Sequence, residues 1–368
     1  MSGIPKTPPA SNEIEVTLFG PGKGESILVH VGDGDWLCID SALSERQSIP
    51  LAYLRQLGIP LDKVKLIVAT HWHRDHVEGL AELLHCCPSA QFVCSAALRA
   101  AEFKQIVARF SSQDVGGATP PLSEIRKCFE ILAGRKKASL VGYVPPIFAG
   151  ANRLIASYKS SNGPIVIQAL SPSDEDYLRA LEAFAGYFVP LDQSATGLPS
   201  VDPNHASVVL AVAIGGELLL FGADLEVTSS VHTGWRAVLA SKVRPQQPSL
   251  FFKVSHHGSS NARHPAVWTD MLVPDCFAAV TEYSGSAIPN EEQVNWLVGQ
   301  SSNVYATGLP QRTHVRRRPE IEKTIREATK DFAAYRLPTA AGMVRMRRVV
   351  GSGPTWTVES FNGAMRLV

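Results

Sequence analysis

Leu66-Ile-Val-Ala-Thr-His-Trp-His-Arg-Asp-His-Val-Glu-Gly-Leu80 is the stretch whose reading decides the fold. A short apolar run, Leu66 to Ala69, stops abruptly at His71, His73, Asp75 and His76. A buried strand that ends in a loop of alternating donors can aim several side chains at one point. His71 and His73, two apart in extended chain, project from the same side. Imidazole with carboxylate suits Zn2+ and related first-row cations. A polar loop of self-satisfied histidines would not need four donor residues in six positions.

Working outward, the same device recurs. Glu13 to Phe19 alternates apolar and polar residues as a half-buried strand does, and Gly20 to Ser26 follows as a glycine-rich turn without Walker spacing. Ser26–Val31 and Trp36–Ile39 form a hairpin that closes at Asp40-Ser41. Gly215-Gly216 joins two further strands, Ser207–Ile214 and Glu217–Phe221, and the second ends in Gly222-Ala223-Asp224. Ser249–Val254 ends in Ser255-His256-His257-Gly258-Ser259-Ser260. Three separate strands thus run out into metal-donor residues. Strands alternating with helical spacing at 49–57, 77–86 and 291–298 place the chain in the α/β class. Residues 98–160 read as a largely helical insertion and 174–188 as a helix. The tail, about 311–368, reads as a helix near 320–333 and two strands.

The composition fits a globular chain of 368 residues, with 45% hydrophobic and 19% charged residues. A net charge of +1 excludes a global basic field for nucleic acid, so any such role rests on local patches. No run approaches the roughly 18 apolar residues of a membrane span. Residues 1–12 read as a disordered lead without the apolar core of a signal peptide. Cys38, Cys86, Cys87, Cys94, Cys128 and Cys276 form no Cys-x-x-Cys pair and are expected as reduced thiols of a cytoplasmic protein.

His71-x-His73-x-Asp75-His76 resembles the signature of the metallo-β-lactamase superfamily. The 20–26 turn, Ile39-Asp40-Ser41, Asn204-His205-Ala206-Ser207, Gly222-Ala223-Asp224 and Ser255-His256-His257-Gly258-Ser259 follow in an order similar to the metallo-hydrolase domain of the ComEC/Rec2 competence family. The resemblance implies an αββα sandwich over residues 13–368, with two divalent cations, Zn2+ first and Mn2+ as the alternative. It assigns His71 and His73 to one metal, Asp75 and His76 to the other, and Asp224 to a bridge. His256 is the expected last ligand, with His257 as the alternative. Many superfamily members carry a further histidine before the bridging aspartate; here Asn204 or His205 stands in that neighbourhood.

The implied chemistry is hydrolysis by a water shared between two metals. Asp75 would orient that water, and the unligated histidine of the pair, His257 if His256 binds metal, would protonate the leaving group. The leading expectation is a phosphodiesterase or nuclease. Lactone, thioester or β-lactam hydrolysis and a partner-binding module with a structural metal are the alternatives. Ser259, Lys253, Arg263 and His264 are candidate substrate contacts, and Arg312 and Arg316 to Arg318 form a second basic cluster. Trp72 is placed either at the mouth of the site or in the core.

Overall fold

Apolar alternation builds both sheets. In Val64–Ala69, Leu66 and Val68 point one way while Ile67 and Ala69 point the other, and all four are buried. A strand buried on both faces belongs to the middle of a covered sheet. The computed structural model describes residues 6–99, 121–138, 144–185, 202–310, 340–353 and 355–368. Among them, two eight-stranded sheets stack face to face.

The first sheet runs, edge to edge, Thr357–Phe361, Gly342–Val349, Glu13–Gly20, Ser26–His30, Trp36–Ile39, Val64–Ala69, Gln91–Ser95 and Ile147–Ala149. The second runs Met365–Arg366, Val304–Ala306, Leu272–Val280, Ser249–Lys253, Glu217–Phe221, Leu210–Ile214, Gly163–Ala169 and Arg153–Ser160. Each sheet has an antiparallel part built of hairpins and a block of four parallel strands. In the first sheet the block begins at Trp36–Ile39, and in the second at Glu217–Phe221.

Three apolar layers follow. Val16, Leu18, Val29, Leu66, Val68, Ile167, Val212, Leu219 and Phe251 fill the space between the sheets. Ile67, Ala69 and Cys38 meet the helices Ile49–Gln56, Leu80–Cys86 and Pro121–Lys137 on one outer face. Leu220, Phe252 and Ala278 meet Trp235, Trp268 and Leu297 of the helices Gly234–Ala240, Pro265–Asp270 and Glu291–Gln300 on the other. The fold is the expected αββα sandwich of the metallo-β-lactamase type.

Some boundaries differ from expectation. Residues 147–149 and 153–160, read above as the end of a helical insertion, are edge strands, one in each sheet. Arg153–Ser160 is half-exposed and buries few side chains deeply, so its alternation is weak in sequence. The helix Pro121–Lys137 packs Ile125, Cys128 and Leu132 into the core. Residues 6–12 are held in place: Thr7 O accepts from Arg347 Nη2 at 2.6 Å and Ser11 O from Asp33 N at 2.9 Å. The helix expected near 320–333 and the 312–318 basic cluster lie outside the described residues. All six cysteines are free thiols, all but Cys86 fully buried. No helix among the described residues is long and apolar enough to cross a membrane.

One buried ionic group ties the tail to the first sheet. Glu15, 0% exposed, accepts from Thr17 Oγ1 at 2.7 Å, Tyr53 OH at 2.9 Å and Arg347 Nε at 2.6 Å. Its register partner is Arg347 on the neighbouring strand Gly342–Val349. Removing one member of such a group strands the others without partners. Glu15→Ala should therefore cost about 3–5 kcal/mol in denaturant unfolding; a loss below 1 kcal/mol would show that the network contributes no net stability.

Candidate metal centre

The carboxyl ends of both parallel blocks open on the same edge of the sandwich, where polar side chains can converge without breaking a strand. From the first sheet come Asp40, directly after Ile39, and the loop after Ala69, in which one helical turn, Arg74–Val77, carries Asp75 and His76. From the second come Asp224 after Phe221, His256 and His257 after Lys253, and Thr281 after Val280. Backbone bonds lock the loops together: Glu25 N to Asp75 O at 2.9 Å, Ser41 N to His76 O at 2.9 Å, and His256 N to Ala223 O at 3.0 Å. Gly24 is needed here. Its φ is +107°, and a Cβ would lie 2.7 Å from Asp75 O.

Asp75, His76, Asp224 and His257 offer donor atoms that all lie within 4.8 Å of one another. His76 Nε2 is 3.3 Å from Asp224 Oδ2 and 3.6 Å from Asp75 Oδ2. His257 Nε2 is 3.4 Å from Asp75 Oδ2 and 3.6 Å from Asp224 Oδ2. Beside them, His71 Nε2 and His73 Nδ1 stand 3.1 Å apart, with the His71 ring 4.2 Å from that of His76.

The hydrogen bonds behind the histidines fix which nitrogen faces the centre. Thr281 Oγ1 donates its one proton to Glu25 Oε2 at 2.6 Å, so at 2.7 Å it can only accept from His257 Nδ1–H. Thr70 Oγ1 likewise donates to Asp40 Oδ2 at 2.7 Å and accepts from His71 Nδ1 at 3.0 Å. His76 Nδ1 donates to Asp40 Oδ2 at 2.8 Å. All three rings therefore turn Nε2 inward. Such outer partners hold a ligand's tautomer and orientation.

Electrostatics favour a cation. Burial pushes the His71 pKa well below its usual value and lowers that of His73, keeping both rings in the neutral, ligating form. Burial would raise Asp75 and Asp224, but the facing imidazoles of His76 and His257 outweigh it and hold both carboxyls low. Burial would also lower His76, yet Asp224, Asp75 and Asp40 raise it well above the usual imidazole range. His76 Nε2, His257 Nε2 and Asp224 Oδ1 are buried without hydrogen-bond partners. Two inward imidazole nitrogens and a carboxylate oxygen, all buried without hydrogen-bond partners, are the donor set of a divalent first-row cation, which would take the place of the proton that the carboxylates hold on His76; the residues fit the metals expected.

The structure distributes the other nominated residues differently. His257, not the favoured His256, lies in the four-residue cluster. Both take left-handed backbone, with φ of 51° and 47°, so their rings diverge instead of alternating as on a strand. His256 Nδ1 faces Asn261 Oδ1 at 3.0 Å and Glu226 Oε1 at 3.2 Å, on a partly exposed rim. Asn204, 3% exposed, donates Nδ2 to Glu226 at 3.0 Å and leaves Oδ1 unpartnered. His205 points toward Asp202 and Glu226. Lys253 is no surface cation: it is 0% exposed, pairs with Glu25 Oε1 at 2.5 Å and stands 3.7 Å from Asp224. Arg263 is held by the Glu292 carboxylate at 2.6 and 2.9 Å, over the Trp296 ring. His264 caps the helix Pro265–Asp270, Ser259 is partly exposed next to the histidine turn, and Trp72 belongs to the core. Glu25, Thr281 and Glu226 escaped the sequence reading as site residues. The signal available for Glu25 was a carboxylate set between a glycine turn and a strand with an apolar centre, Ile27 to Val29.

Residues 19–120 match the family model described as the metallo-beta-lactamase superfamily. The matched stretch resembles that superfamily of metal-dependent hydrolases and includes His71, His73, Asp75 and His76, two of which belong to the cluster of donors. Similar solved structures include YhfI, a metallo-beta-lactamase fold protein from Bacillus subtilis, at 11% identity over 66% of this chain and 70% of that one, TM-score 0.33. A Cronobacter sakazakii metallo-beta-lactamase with a HARLDQ motif shows 15% identity over 64% and 73%, TM-score 0.34. The MIM-2 metallo-beta-lactamase shows 16% identity over 61% of this chain, which spans 64% of that one, TM-score 0.32. No curated protein matches the chain.

Thr281→Val keeps the shape at that position and removes the acceptor behind His257. Metal affinity, read by competition with a chelating dye, should fall by about 10–100-fold with the far-ultraviolet spectrum unchanged. Unaltered affinity would remove Thr281 from any orienting role.

Proposed function

We propose that the chain is a phosphodiesterase or nuclease working with two divalent cations, of the soluble metallo-hydrolase type resembling the ComEC/Rec2 domain. The observation that carries this reading is the meeting of the His71–His73 pair with the Asp75, His76, Asp224 and His257 cluster, from two sheets, with the rings of His71, His76 and His257 oriented from behind. His71 and His73 would hold one cation, and Asp75, His76 and His257 the other, with Asp224 between them. Asn204 Oδ1, left free while its amide nitrogen is spent on Glu226, is a third donor for the first cation. Zn2+ is favoured and Mn2+ is the alternative, from the mix of imidazole and carboxylate.

Bound there, the cations would supply a water nucleophile ionisable near neutral pH and neutralise a phosphoryl oxygen. The protein's own residues supply position. Asp75 is fixed through its backbone by Glu25 N and through its carboxylate by His76 and His257, which suits it to orient the attacking water. His256, released from the metal role by the divergence of the pair, is the proton holder for the leaving oxygen. Asn261 and Glu226 fix its Nδ1 side on the rim. Lys253 contributes from beneath, by offsetting the charge of Glu25 and Asp224. The substrate class follows from the order of the turn at 20–26, the Asn204 to Ser207 segment and the Ser255 to Ser259 segment, as in the competence-type hydrolases. Nucleic acid is the partner proposed on that ground.

Hydrolysis of bis(p-nitrophenyl) phosphate with Mn2+ or Zn2+ tests the reaction, and a panel of single- and double-stranded oligonucleotides tests the substrate. Activity should vanish with a chelator and return with metal. Asp224→Ala and His76→Ala should each lower it by about 10²–10³-fold or more. Cleavage confined to lactones, thioesters or β-lactams would overturn the phosphodiester reading.

A further inference from the structure

Close to the cluster, but with none of its residues, stand three donors that the proposed reaction does not use together. Asp202, His205 and Glu226 present a carboxylate oxygen, a ring nitrogen and a second carboxylate oxygen, all within 4.8 Å of one another. They come from two loops. Asp202 and His205 flank the 3₁₀ turn Pro203–Ala206, where Asp202 Oδ1 accepts from Asn204 N at 3.0 Å and holds the turn's shape. Glu226 belongs to the loop after Glu217–Phe221, two residues beyond Asp224.

His205 Nδ1 is buried and has no hydrogen-bond partner. A desolvated ring nitrogen without a partner is unfavourable, and a neighbouring carboxylate would ordinarily supply the bond. Two carboxylates are nearby, yet the nitrogen is joined to neither. Glu226 is buried, and its Oε1 accepts from Asn204 Nδ2 at 3.0 Å and Asn261 Nδ2 at 2.8 Å, which hold its carboxylate in place beside the turn. One imidazole and two carboxylates is a ligand set for Zn2+ or Mn2+ with open positions left to water or substrate.

We propose that Asp202, His205 and Glu226 form a separate divalent-cation site on the rim of the metal centre. Its cation ties the Pro203–Ala206 turn to the loop that carries Asp224. Glu226 also holds Asn204 and Asn261 and faces His256, so occupancy of this site fixes the rim on which the substrate would lie. The open coordination positions suit an anionic oxygen, such as a non-scissile phosphate of a nucleic acid. That last role rests on the phosphodiesterase reading, while the site itself does not.

Metal content separates the two ideas. The purified full chain is equilibrated with Zn2+ alone at graded free concentrations, and bound metal is counted by elemental analysis. His205→Ala and Asp202→Asn should each bind one equivalent fewer than the wild-type chain and keep the wild-type circular dichroism spectrum. His76→Ala should lose metal from the main cluster and keep the rim equivalent. If His205→Ala and Asp202→Asn, both folded, bind as much zinc as wild type at every concentration, the rim site is overturned. If His76→Ala alone binds as wild type does, the main centre fails and the rim site stands. If the His205→Ala chain does not fold, Asp202→Asn, at an exposed position, decides the matter alone.

Discussion

Four carboxylates meet one buried ammonium at the edge of this sandwich, and the arrangement of the site depends on that imbalance. Glu25, Asp40, Asp75 and Asp224 converge, and Lys253 is the buried lysine among them. Burial pushes the Asp40 carboxyl up despite its bonds from Thr70 and His76, whereas the facing imidazoles outweigh burial and hold Asp75 and Asp224 low. Lys253 offsets part of the charge from beneath through Glu25 and Asp224. The remainder faces the side chains of His76 and His257. Carboxylates gathered out of water favour a cation, and the inward ring nitrogens and carboxylate oxygens are the groups that could receive it.

The same demand explains why the donors sit where they do. A carboxylate in the middle of Val64–Ala69 would break an apolar layer, whereas at the carboxyl end of a parallel strand it meets the loops of both sheets. The turns must then be tight. Asp40, Ala223, His256 and His257 all adopt left-handed backbone, with φ between 44° and 57°. Such conformations cost a non-glycine residue about 1–2 kcal/mol each. Gly222 contributes by proximity, since a Cβ there would fall 2.1 Å from Ser255 Oγ. Other left-handed non-glycine residues occur in turns elsewhere among the described residues, but these four lie in the loops that carry the donors, where they set the directions of the side chains.

Much of this was legible in the chain. The run 66–76 announces strand and donor loop together because both periodicities act over a few residues. The parallel blocks and outer helices follow from apolar runs of the right length. Other features depend on neighbours remote in sequence. The choice between His256 and His257 turns on two consecutive left-handed residues, which no alternation rule anticipates. Lys253 reads as a surface cation until Glu25, more than two hundred residues earlier, is found opposite it. The strands at 147–149 and 153–160 are short or half-exposed edges, so their sheet partners define them more than their composition does. Glu226 carries no motif at all; its place is set by the loop that delivers Asp224.

Asp40 and Thr281 show how the two sheets reach one specification by the same chemical route. In each, an oxygen at the end of a parallel strand takes the outer proton of an imidazole, from His76 in one sheet and His257 in the other. In each, a carboxylate is the final acceptor, directly in Asp40 and through a hydroxyl to Glu25 in Thr281. Neither relay is useful alone, because each aims only part of the donor set. They become one site only when the Glu25 loop bonds to Asp75 across the edge, linking the acceptor behind His257 to the segment that carries His76. Docking of the sheets and orientation of the donors are therefore one event. A change that loosens the Glu25 loop should disturb the metal centre before it disturbs either sheet, since the core between the sheets is closed by apolar side chains of the strands themselves.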